Sequence, residues 1–216
     1  IESVLEGFMV VDFIEKRRSI FRCTMQHLHL SALKKVINTD ELSERWTVVR
    51  HPLDRFISEF KYRKEWRRII GDHYVSFDSF VLSIIWIYKI NPYICDNHIR
   101  PQIEFVDSSV IVYKFETGVS DIIATKLSEY GYKHENKHFV HEKKSKDIEV
   151  AMSCFSLDSL NTLYKGDYHF FGYEIPNLNS HKITKKKLNP LDVLGAFFLT
   201  FKILIKEIKK YKTLRQ

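Results

Sequence analysis

The stretch Val48-Val49-Arg50-His51-Pro52-Leu53-Asp54-Arg55-Phe56-Ile57-Ser58-Glu59-Phe60 holds the change of period on which the architecture turns. Residues 45–50 (RWTVVR) predict a strand that His51-Pro52 ends. From Leu53 to residue 70, Phe56, Ile57, Phe60 and Trp66 recur at helical spacing, with Asp54 near the start, so a helix follows the strand directly. The same order appears on both sides. Residues 19–24 (SIFRCT) predict a strand and 28–37 a helix with Leu30, Leu33 and Ile37 on one face; downstream come an apolar helix at 77–89, a strand at 110–115 (VIVYKF) and an amphipathic helix at 119–130 stopped by Gly131. Residues 134–146 read as a polar loop and 157–164 as a short helix. Strands alternating with helices imply an α/β fold: a single domain with a central, mainly parallel sheet flanked by helices.

Composition narrows the function classes. The chain has 216 residues, 44% of them hydrophobic and 14% aromatic, enough for one substantial core, which excludes disorder and collagen. Cysteines at 23, 95 and 154 are odd in number and scattered, so they read as thiols in a reducing compartment. The expected location is therefore cytoplasmic, peripheral membrane attachment included. A luminal location behind an N-terminal anchor preceding Ile1 is the alternative. The net charge is +7, but residues 181–216 carry +8 and residues 1–180 carry −1. We therefore divide the chain into a main domain, 1–180, and a basic helical extension, 181–216. In that extension Leu194, Phe197, Phe198, Phe201, Leu204, Ile205, Ile208 and Tyr211 recur at helical spacing, with Lys202, Lys206, Lys209 and Lys210 on the other side. Such a basic amphipathic helix either docks on the core with a solvated lysine face or attaches to an anionic membrane surface.

The strand-to-helix junction is also the chemical signal. Arg50 at the strand exit, Pro52 in the first helical turn and Ser58 further along place a guanidinium and a hydroxyl near a helix N-terminus, where free N–H groups and the macrodipole favour an anion such as a phosphate. A salt-bridged Arg50 in an ordinary turn fits the spacing as well.

The segment VRHPLDRFISEF, residues 49–60, resembles the 3′-phosphate-binding signature R-[DN]-P-x-x-R-x-x-S-x-[FY] of the carbohydrate sulfotransferases, with His51 in place of the usual acid or amide. Three later segments fall in the family's order. Residues 96–102 (DNHIRPQ) resemble its H-[WF]-x-P-Q element, 112–116 (VYKFE) its strand ending in K-[FY]-E, and 164–173 (YKGDYHFFGY) its closing Y-x-x-D-[FY]-x-x-F-G-Y. The resemblance implies a P-loop-kinase-like sulfotransferase fold. The implied activity is sulfuryl transfer from 3′-phosphoadenosine 5′-phosphosulfate (PAPS) to a carbohydrate hydroxyl, in polysaccharide or glycan, without a metal. On that resemblance Arg50 and Ser58 hold the donor's 3′-phosphate. His98 takes the acceptor's proton.

The first donor loop departs from the pattern. The family's P-K-x-[GA]-x-T-S aligns with residues 26–32, which puts His27 at the lysine and Ser31 at the threonine; no lysine occurs from 20 to 33. Three outcomes follow: His27 replaces the lysine, Arg22 reaches in, or the chain binds the nucleotide without efficient transfer. His27 or His29 as proton acceptor is an alternative assignment. A zinc site built on His134, His138 and His141 lacks the usual ligand pairs. The absence of G-x-x-x-x-G-K-[ST] argues against an ATP-dependent kinase. A basic module that binds nucleic acid or anionic glycan, supported by the tail and residues 61–68 (KYRKEWRR), explains the charge and none of the motifs, so no nucleic-acid partner is expected.

Overall fold

The computed structural model describes residues 23, 27–68, 73–131, 150–179 and 183–213, with side chains as far as residue 208. Its elements run α1 (Leu30–Leu33), β1 (Trp46–Val49), α2 (Pro52–Tyr62), α3 (Lys64–Arg67), α4 (Phe77–Ile90), β2 (Ile111–Lys114), α5 (Val119–Glu129), β3 (Val150–Met152), α6 (Cys154–Leu163), α7 (Lys165–Phe171), β4 (Ile183–Lys185) and α8 (Pro190–Thr213), with short 3-10 turns between some of them. The protein is an α/β single domain.

β1 and β2 pair in parallel with Val48 opposite Tyr113, and β3 and β4 pair in parallel with Val150 opposite Ile183. Among the described residues the strands thus form two two-stranded sheets, not one central sheet. The strand expected at 19–24 lies outside the described residues except for Cys23, as do Arg22 and the loop at 134–146.

The core forms around α4. Phe80, Ile84 and Ile87 are fully buried, and Phe56 of α2, Ile99, Met152 of β3, Leu160 and Tyr164, and Leu199 and Ile203 of α8 close around them. Burying each such side chain contributes ~1.5–3 kcal/mol, so α4 anchors the elements that carry the site. Its apolar residues run all round because it has protein on several sides. Ser76 caps it by accepting from the Ser79 amide at 3.1 Å. Asp78 in its first turn, buried, accepts from the Ser153 amide and hydroxyl, both at 3.0 Å, and so ties the start of α6 to α4.

Several elements differ from their sequence expectation for local reasons. The helix expected to 70 breaks at Arg63 (φ −81°, ψ 32°), dividing α2 from α3. The helix expected at 28–37 keeps regular form only over α1 and continues as turns, with Val36 and Ile37 exposed and no core to hold a longer helix. α6 starts three residues early because Ser153 caps it. α8 docks by a different face from the expected one. Asp192, Ala196, Leu199 and Ile203 are buried, whereas Leu194, Phe197, Phe198 and Phe201 face outward. The small residues decide this: a Cβ at Gly195 would stand 2.6 Å from Ser79 Oγ, so α8 approaches α4 most closely where it has least side chain.

Candidate active site at the β1–α2 junction

β1 delivers Arg50 to the mouth of a cleft of ≈ 360 Å³, and α2 begins at Pro52 immediately behind it. Arg50, Arg55, Ser58 and Glu59 enter this cleft from β1 and α2, His27 from the loop before α1, and Asn97, His98 and Gln102 from the turns after α4. Of the seven residues given a role from the sequence, His27, Arg50, Ser58 and His98 therefore meet in one place, whereas His29, the alternative proton acceptor, is not among the lining residues. Ser31 is exposed on α1 and is not among the lining residues; Arg22 lies outside the described residues.

Arg50 is set by its backbone. Its amide donates to Gln102 Oε1 at 2.9 Å, its carbonyl accepts from Gln102 Nε2 at 2.8 Å, and its guanidinium lies 4.8 Å over the Phe115 ring. Gln102 is fixed in turn by buried Asp167, which accepts from the amides of Gln102 (2.8 Å) and Ile103 (2.9 Å). Burial raises the Asp167 carboxyl above its ordinary value, against the two amides and Arg55, which favour its charge. Glu116 accepts from the His51 amide at 2.8 Å and from the Tyr173 hydroxyl at 2.9 Å; the Tyr164 hydroxyl donates to the Ile99 carbonyl at 2.8 Å. The four sequence segments are thus parts of one scaffold, and several of their most specific side chains brace the backbone around Arg50 and His98.

Arg55 does both tasks. Its Nη2 donates to the carbonyls of His98 and Arg100, each at 2.6 Å, while Nη1 is buried with no hydrogen-bond partner. A guanidinium nitrogen in that condition calls for an acceptor, and it borders a cleft already lined by a second arginine and a serine hydroxyl.

The opposite wall is a chain of acids and imidazoles. His27 Nδ1 meets Asp96 Oδ2 at 2.9 Å, His27 Nε2 faces His98 Nε2 at 3.3 Å, and His98 Nδ1 meets Glu59 Oε2 at 3.1 Å. The rings pack edge to face with centroids 4.4 Å apart. Burial raises the Glu59 carboxyl's affinity for a proton, but the bonds and charges of His98 and Arg63 outweigh it and hold the group below its ordinary value. Ionised carboxylates only accept, so each Nδ1 donates, and the two facing Nε2 atoms are left to share one further proton. With that proton the pair carries a positive charge over the cleft.

The backbone that presents this wall is strained. Cys95, Asp96 and Asn97 have φ of 57°, 58° and 68°, three consecutive left-handed residues without a glycine. Each costs roughly 1–2 kcal/mol. All three side chains are engaged: Cys95 is buried in the core, Asp96 holds His27, and Asn97 donates to the His27 carbonyl at 2.8 Å. Among the described residues no group of three or more His, Cys, Asp or Glu is arranged to hold a metal.

A family model described as Sulfotransferase family matches residues 13–174, most of the chain and the whole of this cleft. The chain belongs to the sulfotransferase family. No curated protein and no solved structure matches it. Membership makes the protein a transferase that moves a sulfuryl group to an acceptor substrate, and sulfotransferases generally take that group from PAPS. Sequence reasoning on this sulfotransferase passed over Glu59 and Asp96, which sit behind the two histidines, and Arg55, the second arginine of its signature. All three lay in segments already quoted, and the available signals were the place of Glu59 directly after Ser58, that of Asp96 two residues before His98, and the place of Arg55 in the signature itself.

Proposed function

We propose that the protein transfers the sulfuryl group of PAPS to a carbohydrate hydroxyl, and that the cleft between β1–α2 and the 95–102 turns is where it does so. The observation that carries this reading is the convergence of Arg50, Arg55 and Ser58 on one wall and the His27–His98 pair on the other. The donor's phosphates suit the first wall: the orphaned Arg55 Nη1, the guanidinium of Arg50 and the Ser58 hydroxyl all donate. PAPS supplies the sulfuryl group, and the protein's share is placement and charge. Arg50 and Ser58 hold the 3′-phosphate. With the proton of the pair on His27 and the acceptor hydroxyl in place of the Nε2–Nε2 contact, His98 takes the acceptor's proton at Nε2, with Glu59 fixing its ring through Nδ1. His27, held by Asp96, stands where the family has its lysine and lends positive charge toward the leaving phosphate. A P-loop-kinase-like fold with a central parallel sheet belongs to this reading, supported by the parallel pairing of β1 with β2.

Calorimetric titration with 3′-phosphoadenosine 5′-phosphate and, in parallel, adenosine 5′-phosphate tests the donor site. The first should bind far more tightly, and Arg50→Ala should remove most of the difference; equal affinity for the two, or no effect of Arg50→Ala, defeats the assignment. A screen of sugar acceptors with PAPS then tests the carbohydrate half, and failure of every sugar with donor binding intact rejects that half alone.

A further inference from the structure

α8 has two apolar faces and uses one. With Ala196, Leu199 and Ile203 buried against α4, the opposite side presents Leu194, Phe197, Phe198, Phe201, Ile205 and Ile208 to solvent, from 36% exposed at Ile205 to 67% at Phe201. Trp86 of α4 packs against Phe197 with ring centroids 5.0 Å apart, and Ile90 at the end of α4 is 72% exposed, so the stripe continues onto a second helix. A contiguous apolar surface of this kind marks an interaction site.

The charges around it select the partner. Asp192 is buried and bound by Lys186 and Ser76, and Glu207 lies on a half-buried flank, so neither acid faces outward within the stripe. Lys206 is exposed and lies 5.2 Å over the Trp66 ring, Lys89 is exposed at the end of α4, and Lys209, Lys210 and Lys212 follow in the same helix. Lys202 is tied down, donating to the carbonyls of Glu65, Trp66 and Arg68, the last at 2.7 Å. A second copy of the chain would press one lysine-rich helix on another. In a parallel pair the lysines meet each other, and in an antiparallel pair they meet residues 190–200, whose acid, Asp192, already belongs to Lys186. A negatively charged lipid surface meets both halves of the helix, aromatic rings at the level of the headgroups and lysines against the phosphates. No described helix is long and apolar enough to cross a membrane, so the contact is with one leaflet.

We propose that the outward face of α8, extended by Trp86 and Ile90, seats the protein on an anionic lipid surface. This stands apart from the reading of the cleft. The test is co-sedimentation of the full chain with vesicles of phosphatidylcholine and phosphatidylglycerol in equal parts, compared with vesicles of phosphatidylcholine alone. The wild type should bind the anionic vesicles about tenfold more strongly, with salt weakening the binding. Phe197→Ser with Phe201→Ser, at exposed positions, should reduce it about tenfold or more while circular dichroism stays unchanged. Equal binding to both vesicle types, or none, overturns the proposal whatever the variants do. A dimer in sedimentation equilibrium that the serine pair dissociates overturns it in favour of a second copy.

Discussion

Glu59→Gln keeps the shape of the side chain and removes its charge, and the geometry sets what that should cost. Glu59 pairs with Arg63 and His98, whose side-chain exposures are 15% and 36% against its own 7%. The more exposed His98 bond is screened and worth under about 1 kcal/mol. The Arg63 bond is buried and charge-assisted, at ~1.5–3 kcal/mol, of which a neutral amide keeps part. Arg63 also keeps its bond to the Cys95 carbonyl at 3.0 Å and its place 4.5 Å over the Trp66 ring, which limits the damage. The expected loss is about 2 kcal/mol at pH 7, a drop of ~1 M in urea midpoint and roughly 4–8 °C in Tm. Because Glu59 sits below its ordinary value in the folded protein, its contribution is complete above the unfolded carboxylate value of about 4.3 and is lost as pH falls through the lower native one. Urea titrations of both forms from pH 7 downward should show the gap closing only in that acid range. A gap that stays constant down to the lowest pH, or no gap at pH 7, refutes the electrostatic account of Glu59.

His98→Ala should retain affinity for 3′-phosphoadenosine 5′-phosphate by calorimetry and lose most transfer from PAPS; wild-type turnover would remove it as the proton acceptor. His27→Ala should slow transfer by roughly two to three orders of magnitude, and His27→Lys should restore a large part of the rate. No rescue by lysine would mean that His27 serves some purpose other than positive charge. Asp167→Ala orphans the amides of Gln102 and Ile103, and at ~1–3 kcal/mol for each it should lower stability by about 3 kcal/mol and weaken donor binding through Gln102 and Arg50. Unfolding curves that superimpose on the wild type would show that the clamp carries no load.

Local signals were readable along the chain and distant ones were not. The turn at His51-Pro52 and the periodicity of Phe56, Ile57 and Phe60 located β1 and the start of α2 to within a residue or so, because capping and burial act over one turn of helix, but not the end of α2, which comes at Tyr62 and not at 70. β3 and β4 escaped notice: each has three residues, and the pairing of Val150 with Ile183 joins segments that share no local pattern. In α8 the hydrophobic pattern located the helix but not its docked face, since that choice rests on the approach of Gly195 to Ser79 across 116 residues of sequence. The cleft's four assigned residues came from motif order. Their supports, Glu59, Asp96 and Gln102, could be ranked only once the fold put them behind the residues they hold.

The left-handed run Cys95-Asp96-Asn97 bears on how this sulfotransferase responds to selection for hardiness. Glycine is at ease in that conformation, so Asp96→Gly would relieve local strain at the loss of one partly exposed ion pair. Asn97 offers no such gain, because it is buried and its side chain bonds both the His27 carbonyl and Arg100 Nε. A screen that rewards heat tolerance alone would be drawn to the Asp96 codon, and the replacement would cut the support of the His27 ring. Position 96 is therefore where a sturdier protein and a competent enzyme are different sequences, and a library that leaves it unprotected will drift toward the first.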